Sequence, residues 1–254
     1  MIKLNNLVIG YRGRGLFAPF SITVPSGTMN VIVGANGTGK STLLHTVAGL
    51  LPVVAGQVVV NGKNLKQMSR RQLSQTMSFV NSERHTASGL TVREVVETGR
   101  YPFTGFLGRM SAEDRTIVNA SMCDVGISHK ADAYLSDISD GERQKTMIAR
   151  VLAQQTPVIL LDEPTNFLDA ASRIETLGLI RQLTSEKGIT ALISTHDIPT
   201  ALSLADNVIT VLPDDDIPIE ITPTGSEQSI CRLDRIFADR RVRFDPVRSD
   251  FVPS

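Results

Sequence analysis

The chain has 254 residues, 41% of them apolar and 20% charged, an ordinary globular balance that argues against disorder. Lysine plus arginine equals aspartate plus glutamate at 26 each, which removes the electrostatic case for a nucleic-acid partner and weakens any case for direct adhesion to anionic lipid. No apolar run approaches the ~20 residues of a membrane span, residues 1–6 lack signal-peptide character, and Cys123 and Cys231 stand far apart, as expected of two reduced thiols in a cytoplasmic protein.

Residues 1–33 read as a β region, with Leu4, Leu7, Ile9, Ile22, Val24, Val31 and Val33 as its apolar positions. Within it, residues 10–15 form a glycine-rich loop around Tyr11. That ring could stack on a purine or pack beneath its own loop, and the residues alone leave the two open. The apolar run at 30–33 then enters Gly34-Ala35-Asn36-Gly37-Thr38-Gly39-Lys40-Ser41-Thr42, and residues 43–50 read as a helix. Strand, glycine-rich turn and helix are the context of a phosphate-binding P-loop. Gly34, Gly37 and Gly39 are expected to take positive φ and aim backbone N–H groups into one concavity, at the positive end of the helix dipole. Lys40 would reach the β- and γ-phosphates and Ser41 would offer its hydroxyl to Mg²⁺.

Further along, residues 57–63 read as a strand ending in an Asn61-Gly62 turn, and residues 77–80 as a short strand. From about 84 to 150 the pattern becomes helical. Thr91 is expected to cap a helix that Gly99 stops, and Ser111 to open a capping-box helix reaching about Val125. Between them the loop 99–109 holds Tyr101, Phe103 and Phe106 beside Arg100 and Arg109. Aromatics next to arginine are the composition of a protein-contact patch, or of a loop pinned to its own domain. Residues 139–155 read as a helix, 158–161 as a buried strand, 172–186 as a helix and 189–193 as a strand. Strands alternating with helices imply a mostly parallel sheet with helices on both faces. Beyond Pro213 the tail is less legible, and Asp214, Asp215 and Asp216 read as a solvated hairpin tip rather than a metal site.

Asp162 and Glu163 close the strand at 158–161, at the end where ligands bind in an open α/β sheet. Asp162 would hold Mg²⁺ and Glu163 would orient or deprotonate an attacking water. Ser139 and Gly141, at the start of the helix 23 residues before Asp162, form a second anion site. One chain has one P-loop, so a second γ-phosphate site suggests a dimer that shares nucleotides.

The ordered set of P-loop, Ser139-Asp140-Gly141-Glu142 signature, Asp162-Glu163 strand end and Thr195-His196-Asp197 resembles the ATPase subunits of ABC transporters, over nearly the whole chain and least beyond Pro213. The resemblance implies an α/β P-loop NTPase fold with an N-terminal antiparallel β region and an inserted helical subdomain at about 84–150. These would form one nucleotide-binding domain over 1–254 with a tail from about 213. It implies ATP and Mg²⁺ as ligands. Tyr11 matches the adenine-stacking aromatic, and Asn36, Gly37, Thr38, Gly39, Lys40, Ser41 and Thr42 match the phosphate loop. Ser139, Gly141 and Glu142 match the signature that caps a partner's nucleotide, and Asp169 falls at the dimer seam. Ser41 and Asp162 match the metal positions, and Glu163 and His196 the catalytic carboxylate and switch histidine.

Two departures stand out. Asp140 replaces the first signature glycine, where its own helix dipole offsets ~0.3–1 kcal/mol of the repulsion from phosphate. Ser82 falls where the family has a coupling glutamine, and the longer Glu83 is the better candidate to reach the metal or its water shell; water filling the gap is the alternative.

The loop 99–109 with Ser111-Ala112-Glu113-Asp114 resembles importers of iron chelates, haem or cobalamin. That implies a homodimer of ATPase subunits on two membrane permease subunits, with a substrate-binding protein beyond them and no nucleic acid. The subunit would be cytoplasmic and peripheral on the inner face of the membrane. A soluble ABC-type scaffold ATPase, as in iron–sulfur cluster assembly, shares the same nucleotide motifs.

Overall fold

The computed structural model describes residues 1–81, 89–105, 108–237 and 242–253. The chain opens with β1 (Ile2–Val8), the short pair β2 (Gly10–Tyr11) and β3 (Arg14–Gly15), then β4 (Phe20–Val24). After β5 (Met29–Val33) come α1 (Lys40–Val47), β6 (Ala55–Val60) and β7 (Lys63–Asn64). β1 pairs antiparallel with both β4 and β6, and β7 completes a four-stranded sheet ordered β4-β1-β6-β7. The turn between β6 and β7 is the expected Asn61-Gly62, with φ of 48° and 81°, as a two-residue hairpin requires.

β5 leaves this region and enters a second sheet. With α2 (Arg70–Thr76), β8 (Met77–Val80), β9 (Val158–Asp162), β10 (Thr190–Ser194), β11 (Asn207–Val211) and β12 (Ile219–Pro223), the order is β12-β11-β5-β10-β9-β8. Every pair is parallel except β11–β12. Side chains alternate faces along each strand, so both faces are buried and the strands read as continuous apolar runs. Ile32, Leu160 and Leu192 pack with Leu43, Leu44 and Val47 of α1 against the antiparallel sheet. Val31, Val33, Leu161 and Ile193 pack on the opposite side with the remaining helices.

Those helices are α3 (Val92–Glu97), α4 (Ala112–Asp124), α5 (Asp140–Ala153), α6 (Ala170–Lys187), α7 (Ile198–Leu204) and α8 (Glu227–Arg235). Thr91 and Ser111 cap α3 and α4 through complete capping boxes, as their spacing predicts. Gly99 does not stop α3. The chain runs on through a 3-10 turn at Thr98–Arg100, and a Cβ at Gly99 would lie 2.2 Å from the Arg150 carbonyl oxygen. Gly99 is therefore a close-approach glycine that lets α5 pack against the turn after α3.

The tail beyond Pro213 folds into β12, α8 and the hairpin of β13 (Val242–Asp245) and β14 (Asp250–Pro253), with Phe251 packed edge-on against Phe237 and Phe244. The acidic run is not simply a solvated tip. The Asp215 carboxylate is 9% exposed and meets Arg235 at 2.6 Å and Arg232 at 3.9 Å, which ties the β11–β12 turn to α8. Among the described residues no helix is long and apolar enough to cross a membrane.

Candidate functional site

The parallel strands β5, β9 and β10 are neighbours in register, so their C-terminal ends deliver three loops to one point. β5 supplies Gly34–Gly39. Gly37 and Gly39 have φ of 79° and 99°, the left-handed region in which glycine carries no Cβ penalty. Gly34 does not share that conformation. It is required for space instead, because a Cβ there would lie 2.9 Å from Val211 O and from Thr38 Oγ1. Gly39 is also the N-cap of α1, and no side chain caps this helix. The first N–H groups of α1 thus keep their donors for a ligand.

Lys40 follows at once and is 7% exposed. Its Nζ donates to the carbonyls of Gly34 and Ala35, both at 2.9 Å. Burial lowers its pKa, against the opposing charges of Glu163 and Asp162. Ser41 Oγ donates to Asp162 Oδ1 at 3.0 Å, and Ser194 Oγ donates to the same oxygen. Asp162 is 2% exposed and ends β9 directly opposite Ser194 of β10.

Glu163 is held in a left-handed backbone conformation, φ 50°, by its N–H, which donates to both the carbonyl and the hydroxyl of Ser194. This turn throws its carboxylate across to His196 Nε2, 3.0 Å from Glu163 Oε1. Burial raises the Glu163 pKa, and the nearby His196 works the other way. Tyr11 reaches in from β2, with its hydroxyl 2.9 Å from Thr42 Oγ1 and half its surface exposed.

A cavity of about 440 Å³ joins these groups, lined by Tyr11, Leu16, Asn36, Gly37, Gly39, Lys40, Ser41, Thr42, Glu163 and His196. The structure therefore brings together most of the expected P-loop residues with the expected carboxylate and histidine. Thr38 is not in the lining; its hydroxyl donates to Ala35 O at 2.9 Å and braces the turn.

Ser139, Gly141, Glu142 and Asp169 do not line this cavity. Ser139 caps α5 in a closed box. Its Oγ accepts from Glu142 N at 3.2 Å, while Glu142 Oε2 accepts from Ser139 N at 2.9 Å and from its hydroxyl at 3.0 Å. The Ser139 backbone bond lowers the Glu142 pKa, and Lys130 lies 3.4 Å away. Asp140, the departure from the signature, is offset locally by Arg143 at 2.8 Å, more directly than by the helix dipole. Asp169 caps α6 by accepting from Ser172 N at 2.8 Å.

The 99–109 loop divides between its two readings. Arg100 is 5% exposed, meets Asp114 at 2.8 Å, donates to Ala153 O and lies 4.2 Å over the Phe103 ring. These contacts pin the loop to its own domain. The Asp114 carboxyl is pulled down to about 2 by its bonds from Ser111 and then by Arg100. Tyr101 is 61% exposed and is not pinned in this way. Phe106, Ser82 and Glu83 lie outside the described residues.

Two residues that sequence reasoning passed over touch the centre. Ser194 braces both Asp162 and Glu163, and the signal for it was its place at a strand end just before Thr195-His196. His45 Nε2 lies 3.6 Å from Asp162 Oδ2, and its signal was the spacing of one helical turn from Ser41.

The family described as ABC transporter matches residues 17–166. The chain belongs to the ABC transporter family. Its relatives include the achromobactin transport ATP-binding protein CbrD of Dickeya dadantii, 36% identical over 210 residues, which are 83% of this chain and 78% of that one. The iron(3+)-hydroxamate import ATP-binding protein FhuC of Bacillus subtilis is 36% identical over 208 residues, 82% of this chain and 77% of that one. Among solved structures, the ATP-binding cassette MJ0796 in a post-hydrolysis state with ADP and Pi is similar at a TM-score of 0.74 and 25% identity, over 88% of this chain and 99% of that one. This ABC protein is accordingly a nucleotide-binding ATPase with a mixed sheet, an antiparallel N-terminal sheet and a helical layer.

Proposed function

We propose that this ABC ATPase energises import of an iron chelate through a membrane permease, by closing a head-to-tail dimer on ATP and reopening it on hydrolysis. The observation that carries the ATPase half is the Glu163–His196 contact at 3.0 Å across the mouth of the P-loop cavity. The relatives described as ATP-binding proteins of achromobactin transport and iron(3+)-hydroxamate import support the substrate class.

In this reading Tyr11 stacks on adenine, and the N–H groups of residues 36–42 with the Lys40 ammonium bind the phosphates. The charged nucleotide replaces the Gly34 and Ala35 carbonyls as the partner of Lys40. Ser41 and Asp162 would hold Mg²⁺. Their donor set fits that ion: one hydroxyl and one carboxylate, both hard oxygens, are what Mg²⁺ takes when substrate phosphates and water complete its shell. Among the described residues no larger cluster of ligating side chains forms a full protein cage. Bound Mg²⁺ would supply Lewis-acid polarisation of a phosphate oxygen.

Glu163, with its proton affinity raised by burial, takes a proton from or orients the attacking water, and His196 faces the γ-phosphate. Ser139, Gly141, Glu142 and Asp169 act on the nucleotide of a second copy, because none lines the cavity of its own chain. Their helix N-terminus is a second place for phosphate. Residues 1–254 form one nucleotide-binding unit in this account, with Tyr101 at the surface offered to the permease and the whole assembly at the inner face of the membrane beside a substrate-binding protein. Nothing in the charge balance calls for nucleic acid.

The test is Glu163→Gln in vitro and in cells. The variant should bind ATP, lose turnover and elute as a dimer with ATP on size exclusion. Cells lacking the gene should regain uptake of a radio-iron chelate with the wild-type protein but not with Glu163→Gln. A strict monomer at high protein and ATP concentration counts against the dimer, and undiminished iron uptake in the deletion strain counts against the substrate class.

A further inference from the structure

We propose that His45 is a positioning residue that links the Asp162 carboxylate to the seam between β8 and α5, and so carries the state of the metal site to the helix that bears Ser139. The inference rests on the metal reading of Ser41 and Asp162 given above.

Asp162 has two oxygens with different surroundings. Oδ1 is taken by the hydroxyls of Ser41 and Ser194. Oδ2 faces His45 Nε2 at 3.6 Å, an electrostatic contact just outside direct hydrogen-bond range. His45 sits on α1 four residues after Ser41, and one helical turn puts both side chains on the face that looks at Asp162. A side chain set against the second oxygen of a ligating carboxylate biases that ligand's orientation and can close to a hydrogen bond by a shift of a few tenths of an ångström; hydrogen-bonded partners at such positions are commonly worth 10–100-fold in metal affinity.

The other side of the same imidazole is spoken for. Its ring meets the Phe79 ring edge-on, with centroids 5.3 Å apart. Phe79 belongs to β8, and its carbonyl accepts from Arg150 Nη2 at 2.9 Å. Arg150 lies on α5, and burial lowers its pKa. One residue past α5, Gln154 Nε2 donates to Met77 O at 3.2 Å, so α5 and β8 are tied at two levels. Asp162, His45, Phe79, Arg150 and α5 thus form a continuous chain of contacts, and Ser139 is the N-cap of α5.

This chain of contacts is a route independent of the position where the family's glutamine normally sits. Ser82 stands where the family has its coupling glutamine, and both it and Glu83 lie outside the described residues. The His45 route runs through described, packed groups and does not need that residue. Spatial continuity alone does not establish coupling; a double-mutant cycle does.

The experiment uses the full chain and a fluorescent ATP analogue titrated with Mg²⁺. In wild type the analogue should bind tighter as Mg²⁺ is added. His45→Ala should raise the Mg²⁺ midpoint about 10-fold and leave affinity in chelator unchanged. His45→Gln keeps an N–H donor and should stay near the wild-type midpoint, whereas His45→Phe keeps only the ring contact and should behave like alanine. In a Glu163→Gln background, His45→Ala and Phe79→Leu should each weaken ATP-driven dimer formation, and the double variant should lose less than the sum. A wild-type midpoint in His45→Ala, full rescue by His45→Phe, or strict additivity overturns the inference while leaving the ATPase reading standing. A wild-type protein whose nucleotide affinity ignores Mg²⁺ overturns the metal reading and this inference together.

Discussion

Two helix N-termini in this molecule face opposite fates. α1 begins at Gly39 with no side-chain cap, and its first donors point into a cavity of about 440 Å³. α5 begins at Ser139 in a closed capping box, with Glu142 folded back on the Ser139 N–H and hydroxyl. The first is an anion site kept open at the expense of its own helix; the second satisfies itself until something better arrives. A capping box is worth ~1 kcal/mol, less than the charge-assisted bonds a triphosphate offers. In the proposed dimer, a nucleotide carried by a second copy would displace it. The same box closes α2, α3 and α4 at Ser69, Thr91 and Ser111, so its presence at Ser139 does not itself mark a functional helix. What marks α5 is that its box holds a serine, a glycine and a glutamate in the order of the family's signature.

The comparison breaks hardest at Lys40. Charge-assisted hydrogen bonds contribute about 1.5–3 kcal/mol each, so Lys40→Ala should weaken ATP binding by ~100-fold or more, measured by equilibrium binding of a fluorescent analogue. Retained affinity would mean that the open helix end alone binds the phosphates. A finer cut compares two capping boxes of the same chemistry. Ser139→Ala and Thr91→Ala should each cost ~1 kcal/mol in urea unfolding, but only Ser139→Ala should also abolish the ATP-driven dimer of a Glu163→Gln background. Equal loss of the dimer in both would reduce Ser139 to an ordinary cap.

The smallest effect is electrostatic. Burial raises the Glu163 pKa, so the folded state holds that proton more tightly than the unfolded chain does. Stability from this group is present at low pH. It is lost as pH rises from the ordinary carboxylate value of ~4.3 through the folded one. Glu163→Gln should therefore raise the unfolding free energy at pH 7.5, measured by urea titration, by less than about 1 kcal/mol, because loss of the His196 contact offsets part of the gain. The difference should shrink toward zero below about pH 4. A gain that persists in acid would trace to packing instead of charge.

The local grammar of this fold was legible in the sequence. Buried parallel strands appear as unbroken apolar runs such as residues 158–161, because both faces are covered. Caps and turns are short-range chemistry, so Thr91, Ser111 and Asn61-Gly62 stand where their spacing puts them. The P-loop, Asp162 and Glu163 were readable for the same reason, as residues where strands end and a helix starts, whereas His196 was picked out only through the family resemblance.

What tertiary structure alone decided are the contacts between elements distant in the chain. Gly99 reads as a helix stop but is a spacer for the Arg150 carbonyl, 51 positions on. Gly34 reads as a positive-φ glycine but yields to Val211. Arg100 reads as half of a surface patch but is buried on Asp114 and Phe103, and Asp215 reads as solvated but is paired with Arg235 of α8. Ser194 and His45 acquire meaning only when the β9–β10 register and the packing of α1 bring them to Asp162. Periodicity records which face of an element is buried, not what lies across from it, and the chemistry of this site depends on what lies across.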